Sequence, residues 1–242
     1  FWIVKTDADG NIIWNKAVGG GGATRMNSMT VTADGGIILA GNTDAGANYE
    51  KSEPNRGPIG SVDIWVIKLD NKGNKVWDKT LGGTDSDAPF AIAETPDGGC
   101  IVAGESSSPK SGDKSEENYG KRDAWAIKLN NLGVKEWDKV YGGSEGDVFY
   151  SVVNTNDGGF LFGGASVSGI SGNKTEASRG GADCWLVKTD ANGTFSISVP
   201  IGNHYIGIEK TGHDMVLGGR YPVTGTHNFQ APISGITFRD ST

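Results

Sequence analysis

Residues 63–104 read DIWVIKLDNKGNKVWDKTLGGTDSDAPFAIAETPDGGCIVAG, and this stretch decides the fold. Its first apolar segment carries hydrophobic side chains on both faces of an extended chain, which indicates a strand covered on both sides. Gly73 then permits a turn with a positive φ, and Asp97-Gly98 is typical of a hairpin. The predicted strands are 64–69, 75–81, 90–95 and 100–103. The stretch therefore predicts four short antiparallel strands.

The same landmarks recur along the chain in the same order. Each unit has a first Trp, a second Trp, a Gly-Gly pair, an Asp-Gly-Gly and a small residue followed by Gly. The first Trp series is Trp2, Trp65, Trp125 and Trp185, with spacings of 63, 60 and 60. A period of about 60 divides the chain into repeats 1–63, 64–123 and 124–183 with a partial fourth over 184–193.

An all-β fold follows, because no segment shows the 3.6-residue periodicity of a helix. Four antiparallel strands per repeat with a period above 40 favour β-propeller-like units, each with an insertion. A β-prism or a stacked sandwich is the competing all-β interpretation. We expect Trp65, Trp125 and Trp185 to occupy equivalent buried positions. The recurring lysines are expected to pair with neighbouring carboxylates; they are Lys5, Lys68, Lys128 and Lys188.

Composition and charge narrow the possible functions. The chain has 39 Gly among 242 residues, against an average near 7%. Its 8 Pro exclude collagen, and its 7 Trp argue against disorder. A net charge of −7 and a pI of 5.0 argue against a nucleic-acid partner. No apolar run approaches the length of a membrane span.

The insertion after each fourth strand is polar and occupies 42–62, 105–122 or 165–182. All three copies contain Lys-Ser/Thr-Glu, and an Asp precedes each following first-strand Trp by two positions. Hard oxygen ligands of this kind suit Ca²⁺. The candidate ligands are Asp113, Ser115, Glu116 and Asp123 in one loop and Asn173, Thr175, Glu176 and Asp183 in the next. The alternative is a loop in which Asp123 and Ser115 cap backbone amides.

The combined motifs resemble a repeat family of Bacteroidetes secreted proteins. They are Asp-x-Trp-x-x-Lys-Leu-Asp, Lys-x-Trp-Asp-Lys-x-x-Gly-Gly, Asp-Gly-Gly-x-Ile-Val-Ala-Gly and Ser-Gly-Asp-Lys-Ser-Glu, and the match covers residues 1–193. Members of that family are commonly exported by the type IX secretion system and are predicted to be β-propeller-like. The resemblance implies a secreted or outer-surface location and a non-catalytic scaffold. The first repeat departs from the pattern in its longer loop, which carries Pro54 and Pro58.

The repeat pattern ends after Gly193, where alternating residues and Pro200 replace the expected Trp-Asp-Lys strand. Residues 194–242 resemble a fragment of the small β-sandwiches related to the carboxypeptidase regulatory domain. All three His lie there, at 204, 213 and 227, with a spacing that fits no metal motif. The chain also starts inside a strand without Met, so we expect it to be part of a larger protein.

Catalytic chemistry is not expected in the repeats. They contain no His, the usual general base, and no G-x-S-x-G elbow. Cys100 and Cys184 occupy positions filled by apolar residues in other repeats, which predicts two buried small hydrophobes. The sequence thus predicts no catalytic residue and no cofactor other than Ca²⁺.

The predicted function is a non-enzymatic secreted or cell-surface module for adhesion or partner binding. Variable loops on a repeated scaffold are where binding normally resides. The expected partners are a protein or glycan at the cell surface, or the secretion and surface machinery. One alternative is a propeller hydrolase or quinoprotein, which needs convergent carboxylates or His in a central cavity. The other is a purely structural spacer of a large surface protein.

Overall fold

The computed structural model describes residues 1–195, 205–210, 213–215 and 236–239. Every regular element in these ranges is a β-strand, which confirms the all-β prediction. The strands are β1 (Trp2–Thr6), β2 (Ile12–Ala17), β3 (Thr24–Val31), β4 (Ile37–Thr43), β5 (Asp63–Leu69), β6 (Lys75–Leu81), β7 (Asp87–Glu94), β8 (Cys100–Ser106), β9 (Asp123–Leu129), β10 (Lys135–Tyr141), β11 (Asp147–Asn154), β12 (Phe160–Ser166), β13 (Asp183–Thr189), β14 (Tyr205–Lys210), β15 (His213–Met215) and β16 (Ile236–Arg239). The described part of the chain contains no helix of the length and apolarity that crossing a bilayer requires.

The strands form antiparallel sheets with simple up-and-down order. Sheet 1 is β1-β2, sheet 2 is β3-β4-β5-β6, sheet 3 is β7-β8-β9-β10 and sheet 4 is β11-β12-β13. A separate sheet 5 has the order β15-β14-β16. Residues 196–203 of the alternating segment, His204 and His227 lie outside the described residues, whereas 205–210 form β14 and His213 begins β15.

Each sheet combines the last two strands of one sequence repeat with the first two of the next. After the long loop, the chain pairs back with the strand that precedes the loop. The Gly that follows a small residue thus lies opposite the next first-strand Trp, as Gly41 does with Trp65 and Gly104 with Trp125. The sheets are therefore shifted by two strands from the sequence repeats. The result is two complete four-stranded sheets, a three-stranded sheet and a two-stranded sheet.

The core lies between successive sheets, which pack face to face. Trp65 of sheet 2 is fully buried beside Ile3 and Val18 of sheet 1. Trp125 of sheet 3 is equally buried, against Ile38 and Val66 of sheet 2 in the next cluster, which confirms both predicted positions. Trp185 is only half-buried. The reason is that no fourth strand covers β13 among the residues that the structure describes.

The sheets are also joined at both edges by recurring hydrogen bonds. At the first strands, which lie side by side as β3, β7 and β11, Asn27 Nδ2 donates to Pro89 O at 2.7 Å. At the fourth strands, Trp77 Nε1 donates to Asn131 O at 3.0 Å in the turn of the next sheet. The equivalent Trp14 and Trp137 make the same bond, at 3.1 Å each.

Three of the four recurring lysines pair with the Asp of the preceding Asp-Gly-Gly, as predicted. The Nζ–carboxylate distances are 3.1 Å for Lys68–Asp34, 2.8 Å for Lys128–Asp97 and 2.7 Å for Lys188–Asp157. These pairs form because β4, β8 and β12 lie beside β5, β9 and β13. Lys5 has no such Asp-Gly-Gly before it in the sequence and donates to Asn71 O at 3.3 Å.

The two cysteines differ in environment, and the prediction was wrong for one of them. Cys100 is fully buried, and that burial raises the pKa of its thiol to about 12. Cys184 is exposed and also unpaired. Its equivalent Ala124 is buried because Tyr141 of β10 lies opposite and sheet 4 packs on that face. Among the described residues, β13 has no fourth strand opposite Cys184 and no further sheet packed on that face.

Candidate functional site

Three long loops, 44–62, 107–122 and 167–182, occupy the same end of equivalent strands and each encloses a buried lysine. The exposed fractions are 2% for Lys51, 2% for Lys114 and 7% for Lys174. The Lys114 ammonium donates to Glu116 O at 2.7 Å, and Lys174 donates to Glu176 O at 2.7 Å. Burial lowers the pKa of Lys51 to about 8 and also lowers that of Lys114. The lysine of each Lys-Ser/Thr-Glu motif is thus the buried centre of its loop.

A row of buried polar side chains lies beneath each lysine. In sheet 3, Asp87, Ser106 and Asp123 are direct cross-strand neighbours with no more than 1% exposure. Asp87 Oδ2 accepts hydrogen bonds from Gly83 N at 2.8 Å and Ser108 Oγ at 3.0 Å. The corresponding rows are Asp147, Ser166 and Asp183 in sheet 4 and Thr24, Thr43 and Asp63 in sheet 2.

The rows of sheets 3 and 4 each hold two carboxylates beside one buried lysine, and the row of sheet 2 holds one. The second oxygen, Oδ1, has no hydrogen-bond partner in Asp63, Asp87, Asp123 and Asp147. Burial is the main reason that the pKa of Asp123 rises to about 7 and that of Asp63 to about 6. The charge of Asp147 adds to the rise in the pKa of Asp123, and the charge of Asp87 adds to the rise for Asp63. Asp123 is therefore about half protonated at neutral pH, whereas the protonated form of Asp63 predominates only below about pH 6.

In sheets 2 and 3 the fourth strand holds the loop to its sheet through an Asp of the strand and a Glu of the loop. Asp138 Oδ2 accepts bonds from Trp125 Nε1 at 3.0 Å and from Ser115 N at 2.9 Å. Glu116 pairs with Lys139 Nζ at 2.6 Å and accepts Val140 N at 2.9 Å. In sheet 2, Asp78 accepts Trp65 Nε1 at 3.0 Å and Ser52 N at 2.8 Å in the same way. Burial acts to raise the pKa of Asp138, but bonds from Lys135, Ser115 and Trp125 outweigh it and lower that pKa.

The predicted calcium ligands of the second loop are held by protein donors. Asp113 pairs with Arg56 Nε of the first loop at 2.8 Å. Asp123 Oδ2 accepts Gly120 N at 3.2 Å and also Tyr119 N, while Ser115 is exposed and contributes its backbone N. Lys114 stands among these groups, and Glu116 turns toward Lys139. The four residues therefore do not form a common oxygen shell around a cation.

The third loop repeats this arrangement in part. Asn173 Oδ1 accepts Gly142 N at 2.9 Å, and Asp183 Oδ2 accepts Arg179 N at 2.5 Å. Thr175 and Glu176 are exposed. No group of three His, Cys, Asp or Glu side chains that could share a metal lies within the described ranges. Calcium binding by these loops stays a prediction.

Sequence reasoning had two signals for the residues that it missed. Lys-Ser/Thr-Glu places Lys51, Lys114 and Lys174 at one position in all three loops, which indicates a structural lysine. Gly-Gly-x-x-x-Asp recurs at 82–87 and 142–147 and identifies Asp87 and Asp147. The first repeat has Gly-Gly-x-x-x-Thr at this point, which is why its row contains a single Asp.

The three loops touch one another and so form one continuous surface, called here the loop rim. Arg56 binds Asp113 of the second loop, and Tyr119 packs against Gly172 of the third. Large apolar side chains are exposed on this rim; they are Tyr49, Ile59, Tyr119, Val167 and Ile170. Tyr49 also has a φ of +50°, and it is the one non-glycine residue with a positive φ among those described.

Comparison with known proteins gives distant similarities. No family model matches the chain. The regulatory protein FlaEY of Caulobacter vibrioides is 25% identical over 194 residues, which cover 77% of this chain and 20% of that protein. The chain thus spans about a fifth of the length of this relative.

Two solved structures align with most of this chain at low TM-scores. A protein of unknown function from Bacteroides caccae has a TM-score of 0.32 and 16% identity, covering 78% of this chain and 71% of the other. Hydrazine synthase of Kuenenia stuttgartiensis has a TM-score of 0.37 and 11% identity, covering 83% and 62%. None of these similarities assigns the chain to a family.

Proposed function

We propose that the chain is a non-enzymatic repeat module of a secreted or cell-surface protein, and that its loop rim binds a protein or glycan partner. The observation that carries this proposal is that charged and apolar loop residues have different roles. The charged residues hold the loop backbone in place, and the apolar side chains project from it. Tyr49 is 84% exposed and Ile170 is 61% exposed. Exposed apolar groups on a fixed, polar-rimmed frame are typical of interaction sites.

The arrangement of the sheets supports a β-propeller-like scaffold. Antiparallel four-stranded meanders stack face to face, and their first strands lie side by side. In a propeller, the first strand of each blade lines the central axis and the fourth strand lies on the outside. In that plan the long loops join the second and third strands of each blade, so all three emerge at one end of the axis. A partner would meet them together.

The backbone of Tyr49 supports binding at the tip of the first loop. A positive φ costs a non-glycine residue roughly 1–2 kcal/mol, and such strain is concentrated at functional positions. The side chain of Tyr49 gains little contact in return, because most of it faces solvent. A partner that covers the ring would supply that contact.

Binding to an array of immobilised glycans and to outer-surface protein extracts tests the proposal. The test variant replaces Tyr49, Ile59 and Ile170 by Ser, and the control replaces Val76 and Val134, which are exposed on or beside fourth strands. We expect the rim variant to lose binding with an unchanged melting temperature, and the control to bind normally. Binding to neither probe by the unmodified chain would favour a structural spacer and reject the proposal.

A further inference from the structure

The first long loop holds a lysine and an asparagine side chain over the buried row of sheet 2. Lys51 is 2% exposed, and its ammonium donates a hydrogen bond to Glu53 O. The amide nitrogen of Asn55 donates to Thr43 O, in the middle of the row, at 2.7 Å. Asp63 is the cross-strand neighbour of Thr43 and is fully buried. An amine, a carboxamide and a carboxyl group thus lie together in one buried part of the loop.

The third long loop gives the spacing between this lysine and the residue four positions later, because it is built in the same way. Lys174 donates to the backbone oxygen two residues ahead, as Lys51 does. Ser178 stands where the first loop has Asn55 and likewise bonds to the middle residue of its row. The Lys174 Nζ–Ser178 Oγ distance is 3.5 Å. Since Ser Oγ and Asn Cγ are both bonded to Cβ, we expect Asn55 Cγ about 3.5 Å from Lys51 Nζ, which is within reach of nucleophilic attack.

Two buried oxygens of the first loop have no hydrogen-bond partner among the residues that the structure describes. They are Asn55 Oδ1 and Asp63 Oδ1. The other polar atoms of these side chains are used, because Asp63 Oδ2 accepts Arg56 N at 2.5 Å and Asn55 Nδ2 bonds Thr43 O. An amide carbonyl and a carboxylate are both acceptors, whereas a protonated carboxyl group is a donor. A protonated Asp63 could therefore donate to a carbonyl at residue 55.

The environment favours uncharged forms of the amine and the acid in this loop. Burial lowers the pKa of Lys51 to about 8 and raises that of Asp63 to about 6. Burial also lowers the pKa of Lys114 in the second loop, but the charges of two row carboxylates, Asp87 and Asp123, oppose it. The row of sheet 2 holds a single carboxylate. Because a free amine is a nucleophile and an ammonium is not, the first loop is the better placed for reaction.

We propose that Lys51 and Asn55 become joined by an isopeptide bond within the first loop. The lone pair of Lys51 Nζ attacks Asn55 Cγ while the Asp63 carboxyl group donates its proton to Oδ1. The resulting carboxylate takes a proton from Nζ and passes it to Nδ2. The Cγ–Nδ2 bond then breaks, ammonia leaves, and the proton on Oδ1 returns to Asp63. An amine and a carboxamide thus give a secondary amide and ammonia, with no oxidant or further reactant.

The product satisfies both unpartnered oxygens, since the Asp63 carboxyl group donates to the new amide carbonyl. It also fixes covalently the loop that carries Tyr49 and Ile59. The inference goes beyond the proposed function, because it concerns a modification inside the loop and not binding at the loop rim. A failure of either proposal leaves the other intact.

Mass spectrometry of the intact chain, after incubation at neutral pH, tests the proposal. We expect a mass about 17 Da below the value calculated from the sequence, which is the loss of one ammonia. Trypsin should then release residues 26–56 as one peptide, because Lys51 no longer carries a free ammonium and is joined to residue 55. Fragmentation of this peptide locates the link. The calculated mass, with separate peptides 26–51 and 52–56, would overturn the proposal.

Two variants separate the isopeptide from a succinimide at Asn55, which would also release ammonia. Lys51→Arg removes the nucleophile and keeps a cation, so its mass should equal the calculated value. Asn55→Ser gives the first loop the residue that the third loop has naturally, so this variant should fold and also show its calculated mass. A loss of ammonia that persists in Lys51→Arg would identify a succinimide and would reject the proposal.

The acid and the row are tested by one loss and one gain. Asp63→Asn keeps the shape of the side chain but has no acidic proton, so we expect linking to slow at least tenfold. Asp87→Thr gives the second loop a row with one carboxylate, like that of sheet 2. We expect this variant to form a second link, between Lys114 and Asn118, with a total loss of about 34 Da. Linking of Asp63→Asn at the unmodified rate would contradict the role of the acid, and a single link in Asp87→Thr would contradict that of the second carboxylate.

Discussion

The carboxylates of Asp123 and Asp147 lie on the two sides of Gly142, although they belong to different sheets. An oxygen of each stands 2.6 or 2.7 Å from the point that a Cβ on residue 142 would occupy. Both side chains are fully buried, and each has one oxygen without a hydrogen-bond partner. Burial is the main reason that the pKa of Asp123 rises to about 7, and the nearby charge of Asp147 adds to that rise.

The raised pKa values of two buried carboxyls predict that the free energy of unfolding falls as the pH rises. The pKa values of Asp123 and Asp63 are raised in the folded state, to about 7 and about 6. Their contribution is therefore complete below the pKa of the unfolded chain, near 4, and is lost as the pH rises through the folded values. We expect a loss on the order of 3 kcal/mol between pH 5 and 7.5, measured by urea unfolding in EDTA.

Asp123→Asn is the matched variant for this test, because an amide mimics the protonated acid. It should equal the unmodified chain at pH 5 and exceed it in stability at pH 7.5. The pH range ends there because Lys51, with a pKa of about 8, begins to titrate above it. Parallel stability profiles for the two proteins would show that Asp123 does not carry the effect.

Replacing the buried ammonium should be costly. Lys114→Met keeps the length of the side chain but leaves Asp87 and Asp123 without their nearest cation, and it removes the bond to Glu116 O. We expect a loss of about 3–5 kcal/mol in the free energy of unfolding at pH 7.5. Lys121→Met is the control, since its pair with Glu145 is largely exposed and should contribute little to stability. Similar losses for both variants would contradict a structural role for Lys114.

The packing of sheet on sheet can be tested at a single turn. Gly133 has a φ of +76°, and a Cβ there would stand 2.8 Å from the ring of Trp77 in the preceding sheet. We expect Gly133→Ala to cost about 1–2 kcal/mol from backbone strain and a further 1–3 kcal/mol from overpacking. Gly10 occupies the same turn in the first repeat with a φ of +86° and open space around it, so Gly10→Ala should show the strain alone. Thermal or urea unfolding of both variants measures the difference.

Melting curves in millimolar Ca²⁺ and in excess EDTA test the calcium prediction. A bound ion would raise the melting temperature by mass action, and Asp113→Ala and Asp123→Ala would remove the increase. The Arg56–Asp113 pair makes a different prediction, namely that Asp113→Ala lowers the melting temperature equally in both solutions. Identical curves for the unmodified chain would reject calcium binding and leave the lysine-centred loop as the role of these residues.

Local patterns in the sequence are strong enough to place most of the strands. Alternating apolar residues, Asp-Gly-Gly hairpins and turn glycines act over a few neighbouring positions, so they place β5 to β8 to within a few residues of the observed ends. The recurrence of Trp at a spacing near 60 also predicted burial, because a residue type that repeats in register occupies the same place in each unit. Trp65 and Trp125 confirm that prediction.

Grouping of the strands into sheets depends on contacts that no short window of sequence contains. Gly41 pairs with Trp65 across a loop of about twenty residues, and that pairing shifts each sheet by two strands from the sequence repeat. The roles of the charged loop residues also depend on contacts between residues that are distant in the sequence. Asp113 meets Arg56 because the loops of successive sheets touch, and Glu116 meets Lys139 because its loop folds onto the fourth strand of the same sheet. The chemistry of these carboxylates was therefore decided by neighbours distant in sequence.

Sequence alone thus determined the period, the strand content and the buried Trp positions, because each depends on local alternation or exact recurrence. Tertiary structure alone decided that Lys114 is the cation of its loop, that Asp123 faces Asp147, and that Cys184 is exposed while Cys100 is not. The physical reason is that burial and charge depend on what packs against a residue from other strands. That environment differs between repeats whose local sequences are nearly the same.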